Sequence, residues 1–179
     1  MIISDFDLHN YLRSGCLIVE PISENTVQQN GIDLRLSDEM AIGKVRSDVP
    51  SIQAYRTGEV EKSFEITRAK NGMFLILPKT HMLFSTREFV KVPLDLMGFC
   101  GLRSTFARWG FLSPLTIIDA GFAGTLTIET FYGGETKIEI PVGTRFLHVV
   151  FSKLTSPVEK GYNGIYKYQK GVRLPKPVD

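Results

Sequence analysis

Two arginines and two hydroxyls crowd the stretch Gly101-Leu-Arg-Ser-Thr-Phe-Ala-Arg-Trp-Gly110, and two carboxylates follow at Asp119 and Glu129. If Ser104 caps a short helix running through Arg108, its side chain satisfies one free backbone amide and the positive end of the turn faces outward. Arg108 lies four residues on and falls on the Ser104 side of that turn, while Arg103 flanks it with a guanidinium able to grip an oxyanion with two donors. Such a group suits phosphate. The same spacing also fits a surface helix whose arginines are solvated or paired with acids.

Asp119 and Glu129 are joined by Ala-Gly-Phe-Ala-Gly and the start of a strand, the shape of a hairpin that could carry both acids to one pocket. Along residues 125–131 the odd positions place Glu129 with Thr125, Thr127 and Phe131, opposite Leu126 and Ile128. A glutamate there is either a proton carrier facing a ligand or an acid on a solvated strand face. Asp119, beside a glycine, also reads as a turn-stabilising residue.

These groups need a scaffold, and the chain reads as many short strands. Ser4-Asp-Phe-Asp7 resembles a capping box, Leu8, Tyr11 and Leu12 recur at helical spacing, and Gly15 can end that opening helix. Residues 17–22 read as a strand. Gly31-Ile-Asp-Leu-Arg-Leu36 alternates as a half-buried strand with Asp33 and Arg35 on one face. Residues 44–70 turn polar and irregular, which suggests a long excursion or a weak hairpin. Asn71-Gly72 marks a turn before consecutive strands at 73–77 and 82–86. Residues 125–132, 137–140 and 146–151 follow as β-rich runs separated by Gly133-Gly134 and Pro141-Val-Gly143. The expectation is one all-β domain over residues 1–179, a sandwich or closed jelly roll with a short N-terminal helix and a short central helix. Residues 159–179 lack an apolar face and read as a tail that is mobile without ligand and able to close over one.

Composition narrows the partner. With 21 basic and 19 acidic side chains the net charge is +2, so nothing broad favours nucleic acid or an anionic membrane, and a small partner is expected. No leader or apolar run of membrane-spanning length is visible, which makes the cytoplasm the expected location. Cys16 and Cys100 are isolated, are expected to be buried thiols, and with three histidines offer little for a zinc site.

The residues also carry a likeness. Arg103-Ser-Thr-Phe-Ala-Arg108, Ile118-Asp-Ala-Gly-Phe122, Gly124 and Glu129 stand in order, with Gly31-Ile-Asp-Leu-Arg35 upstream and residues 162–171 downstream. This set resembles the dCTP deaminase and dUTPase superfamily over most of the chain. The resemblance implies a distorted jelly-roll (β-clip) subunit, a homotrimer with active sites at subunit boundaries, and magnesium held through the nucleotide triphosphate. It does not imply zinc; the H-x-E and P-C-x-x-C signature of zinc nucleobase deaminases is absent.

By the same resemblance, Glu129 is the proton carrier for water attacking the cytosine ring of dCTP, with Ser104 and Arg108 supporting water and base edge. Arg103, Ser104, Thr105 and Phe106 would hold phosphate, and Thr127 and Ile128 would flank the nucleotide. The alternative is dUTP hydrolysis to dUMP and pyrophosphate, with Asp119 orienting the water; bifunctional relatives use both acids in succession. A non-catalytic nucleotide- or sugar-binding module is the third reading. Two departures stand out. Pro114-Leu-Thr-Ile-Ile-Asp119 is shorter than the matching segment of typical deaminases, which leans toward a dUTPase-like pocket. Ile165 stands where many relatives have a phosphate-contacting lysine, for which Lys167 could substitute; Tyr162 and Gln169 keep their places and would close over phosphates.

Overall fold

A computed structural model describes residues 1–45 and 47–178; Arg46, inside the polar excursion, and the terminal Asp179 lie outside the described residues. The elements in chain order are α1 (Asp5–Arg13), β1 (Ile18–Glu20), β2 (Val27–Gln28), β3 (Gly31–Gly43), α2 (Thr57–Lys62), β4 (Phe64–Arg68), β5 (Met73–Ile76) and β6 (Thr80–Lys91). They continue with β7 (Leu96–Leu102), α3 (Ser104–Arg108), β8 (Phe111–Leu112), β9 (Thr116–Ile118), β10 (Ala123–Tyr132), β11 (Ile138–Pro141) and β12 (Arg145–Lys153). The β-rich jelly roll with a helix at the start and another in the middle is as expected; α2 was not foreseen. Among the described residues no helix is long and apolar enough to cross a membrane.

One large sheet runs β8-β10-β6-β3-β12-β7-β9, and a two-strand sheet pairs β5 with β11. The thirteen-residue β3 belongs to both halves of the large sheet: its beginning pairs with β12, and its end pairs with β4 and β6. β4 makes regular antiparallel pairs with Glu39–Gly43, so the excursion closes as a hairpin with a long connection. The turn at Asn71-Gly72 has positive φ at both residues, 51° and 73°, the geometry a tight hairpin requires. β5 and β6 are consecutive in the chain yet lie in different sheets.

The sheet bends at β6. Thr125 faces Phe89 and Thr127 faces Ser85, so Thr86, Arg87 and Glu88 stand opposite Leu126 alone. Such a bulge kinks a strand and leaves ladder groups unpaired. Buried Thr86 repairs one side: its hydroxyl donates to the Glu88 carbonyl and accepts from the Leu126 amide, both at 2.8 Å. The fully buried Glu88 carboxylate repairs the other, accepting from the Arg35 amide at 2.8 Å and from the Arg35 guanidinium.

Within the curl, rings pack edge to face from Phe74 through Phe84, Phe146 and Phe106 to Phe111, which stacks on Tyr132 at 4.6 Å. Aromatic pairs of this kind add about 0.5–1.5 kcal/mol each beyond their burial. At the N-terminus, Ser4 is the cap position of α1 but its side chain makes no cap bond, so the capping box does not form; Asp5 instead accepts from the Phe6 amide. Gly15, with φ 71°, follows the helix end.

The cysteines differ from expectation. Cys100 is buried in β7, but Cys16 is exposed, because it lies in the loop leaving α1 just after Gly15. Burial, and secondarily the charge of Glu129, pushes the Cys100 thiol up to about 12. A raised pKa leaves the thiol protonated and unreactive until far above neutrality. Alkylation of the native protein at mildly alkaline pH is therefore expected to label Cys16 and spare Cys100, with peptide mass spectrometry as the readout; labelling of Cys100 at a similar rate would contradict its burial. Replacing Glu88 with Ala leaves Arg35 without its buried partner and should cost about 3–5 kcal/mol, read as a lower urea midpoint.

Candidate active site

β10 alternates as its β-branched sequence requires. Leu126, Ile128, Thr130 and Tyr132 are buried, whereas Thr125, Thr127, Glu129 and Phe131 turn to the opposite face. That face borders a cavity of about 520 Å³, a size typical of small-molecule sites. Its walls include Asp119, Thr127, Ile128, Glu129, Tyr162 and Gln169 among the residues singled out from sequence.

Asp119 and Glu129 therefore share one cavity, but not through a hairpin. β9 pairs with β7, while β10 pairs with β6 and β8, so the two acids come from opposite ends of the large sheet. Curling of the sheet brings them together. Among the described residues neither carboxylate has a hydrogen bond or ion pair, and the surroundings are largely apolar: Leu83, Cys100, Ile117, Ile118, Phe122 and Leu126. Two uncommitted acids in such a cavity can bind or move protons, and one can orient a water.

The arginine turn is built elsewhere. α3 is a single turn, too short to persist alone. Phe106 anchors it by packing against Phe111 at 5.5 Å and Phe146 at 6.4 Å. Gly110, with φ 88°, lets the chain leave in a left-handed conformation. Arg103, not Ser104, is the cap residue: its extended backbone offers the carbonyl that accepts from the Phe106 amide at 2.9 Å. Ser104 is already inside the first turn, where its hydroxyl makes no cap bond and stays exposed beside Thr105 and Arg108. Arg103 and Ser104 line a separate depression of about 260 Å³ with Gln28, Gln29, Asp33, Leu102 and His148. No residue of α3 lines the carboxylate cavity.

The tail lies along the cavity. Gly121 has φ 82° and passes so close to Gly161 that an added Cβ would come within 2.6 Å of its Cα. The Tyr162 amide donates to the Ala120 carbonyl at 2.8 Å, and its ring packs on Phe122. Gln169 is buried; its side-chain nitrogen donates to the Thr125 carbonyl at 2.6 Å, while its oxygen has no donor among the described residues. That oxygen is a buried acceptor without a partner among those residues. Val172 is buried in a small cluster with Ala41 and Leu83, and the Arg173 amide donates to the Thr127 hydroxyl at 3.0 Å.

Lys167 does not line the cavity; its ammonium sits over the Tyr168 ring at 5.6 Å. Ile165 is exposed. Arg173 reaches the cavity wall instead, together with His81, Cys100 and Tyr166, none of which sequence reading singled out as site residues. His81 could have been found from register, because Glu129 pairs with Leu83 and Phe131 with His81, making His81 its diagonal neighbour on the same face. Cys100 and Arg173 arrive through long-range pairing that local pattern does not reveal. Among the described residues no group of three or more acids, histidines or cysteines is placed to hold a metal ion.

Comparisons with known proteins agree on the kind of chain this is. The family model described as dCTP deaminase-like matches residues 2–154. A protein from Acidianus ambivalens named dCTP deaminase is 44% identical over 177 residues, covering 98% of each chain. A protein of Sulfolobus islandicus rod-shaped virus 1, named probable deoxyuridine 5'-triphosphate nucleotidohydrolase, is 40% identical over 98% of this chain and 99% of its own. In fold, the chain is similar to the 2'-deoxycytidine 5'-triphosphate deaminase of Agrobacterium tumefaciens, with TM-score 0.64 and 18% identity over 86% of this chain and 47% of that one. The chain belongs to the dCTP deaminase-like family.

Proposed function

We propose that this protein is a dCTP deaminase that converts dCTP and water to dUTP and ammonia without zinc. The observation that carries the reading is Glu129, an uncommitted carboxylate on β10 facing a cavity of nucleoside size. Full-length relatives named dCTP deaminase support it.

In this reading Glu129 takes a proton from water as the water oxygen attacks the ring carbon bearing the amino group. Glu129 then delivers that proton toward the ring, and further transfer to the amino group lets ammonia leave as the carbonyl forms. Ser104 and Arg108 hold the water and the base edge. Arg103, Thr105 and Phe106 receive the phosphates, with Arg173 as the cation that the tail adds at the cavity. Tyr162 and Gln169 close the nucleoside end. Magnesium, when bound, would be held through the triphosphate oxygens and would neutralise phosphate charge. The Asp119 and Glu129 carboxylates are oxygen donors in the cavity of the kind that fits this ion.

The site is completed by assembly. Within one chain Arg103 and Ser104 line one depression and the two acids another, and large apolar side chains (Trp109, Leu112, Leu115 and Ile117) are exposed in the segment that joins α3 to Asp119. A homotrimer that covers those side chains and sets α3 of one subunit against β10 of the next makes both halves into one site. The enzyme acts on the cytoplasmic nucleotide pool.

A second reading, dUTP hydrolysis with Asp119 orienting the water, draws on Asp119 sharing the cavity and on the short connection before it. The two are separated by incubating the protein and magnesium with dCTP or dUTP and resolving the products. Release of ammonia and dUTP from dCTP is expected; dUMP from dUTP with dCTP untouched would establish the second reading instead. In Glu129→Gln, deamination should fall by about 10²–10⁴-fold, while any dUTP hydrolysis persists. Equal loss of both activities would contradict this division of labour.

A further inference from the structure

Asp33 is almost fully buried and yet gathers two arginines and a histidine from two parts of the chain. Its Oδ2 lies 3.3 Å from Arg103 Nε and 3.2 Å from Arg145 Nη1, and its Oδ1 lies 2.8 Å from His148 Nδ1. The register explains the gathering. Asp33 pairs directly with His148 across β3 and β12, and His148 pairs with Gly101 across β12 and β7, two residues before Arg103.

A buried carboxylate is stable only when paired, and the two arginines and the histidine provide that pairing. The consequence for Arg103 is directional. Its backbone is fixed, because its amide donates to the Phe146 carbonyl at 2.9 Å and its carbonyl caps α3. Its Nε forms an ion pair with Asp33, and the Arg103 side chain is held beside the depression that it lines with Ser104. A long side chain held at one end and paired at Nε loses little further freedom when an oxyanion arrives.

We propose that Asp33 is the positioning residue for Arg103: it aims the guanidinium at substrate phosphate without touching the substrate. Arg145 and His148 share the charge of Asp33 and keep it in place; Arg145 is further tied to the Asn25 carbonyl at 3.4 Å. The proposal rests on the reading of Arg103 as a phosphate ligand, and it assigns to the buried acid an effect on nucleotide affinity rather than on the chemical step.

The test is a double-mutant cycle on the full-length protein with Asp33→Asn, Arg103→Ala and the pair, measuring kcat and KM for the nucleotide triphosphate. Asp33→Asn is expected to raise KM about tenfold with kcat changed less than about threefold, and to add almost nothing in the Arg103→Ala background. Effects that multiply would show that Asp33 acts on stability or through another group, and would overturn the proposal. If Arg103→Ala leaves KM unchanged, the phosphate role of Arg103 fails instead, which is a separate result. Should Asp33→Asn not fold, Asp33→Glu retains the charge and moves it outward; the same non-additive rise in KM is expected, and an unchanged KM there would also overturn the proposal.

Discussion

The Glu88 carboxylate, buried where β6 bulges, accepts from both the main chain and the side chain of Arg35, and the curvature of the large sheet rests on that contact. The bulge removes ladder partners at the level of Arg35 and Leu126, and buried amides left unpaired would each cost free energy comparable to a lost hydrogen bond. Glu88 and Thr86 replace those partners with side-chain atoms. A bend in a sheet is thereby made into a stable feature, and the strands beyond it can close into a jelly roll.

The cavity follows from that curl. β7 and β9 approach from one end of the strand order, β6 and β10 from the other, and the cavity forms where they face one another. β10 has two faces: alternate residues fill the core, and the intervening ones include Thr127 and Glu129, which line the cavity. A slip by one residue would bury Glu129 and expose Leu126 and Ile128, so the hydrophobic pattern of the core also fixes the acid's direction. The ring ladder from Phe84 to Phe146 and Phe106 does the same for α3, holding a single helical turn that its own backbone bonds could not maintain.

Much of this was legible in the order of residues. The alternation around Glu129, the opening helix, the turn at Asn71-Gly72 and the family likeness all rest on local pattern, and the strands appeared close to their expected positions. What was not legible depended on distance. The Asp119-to-Glu129 stretch looks like a hairpin because its glycines invite a turn, yet β9 finds β7 a better neighbour. Ser104 looks like a cap because serine favours that position, but the Arg103 amide is bonded to Phe146 and starts the turn one residue earlier than the cap rule suggests. Lys167 looks like a substitute for the missing tail lysine; the packing of Val172 presents Arg173 instead.

Within one chain Arg103 and Ser104 line one depression and the two acids another, and the proposed function requires assembly to set the arginine turn of one subunit against the acids of another. Mixing and reassembling two inactive variants, Arg108→Ala and Glu129→Gln, tests it most directly. Hybrid oligomers contain interfaces that pair an intact Arg108 with an intact Glu129, so deaminase activity should return on mixing although each variant alone is inactive. Subunit exchange with no recovery of activity would contradict the account.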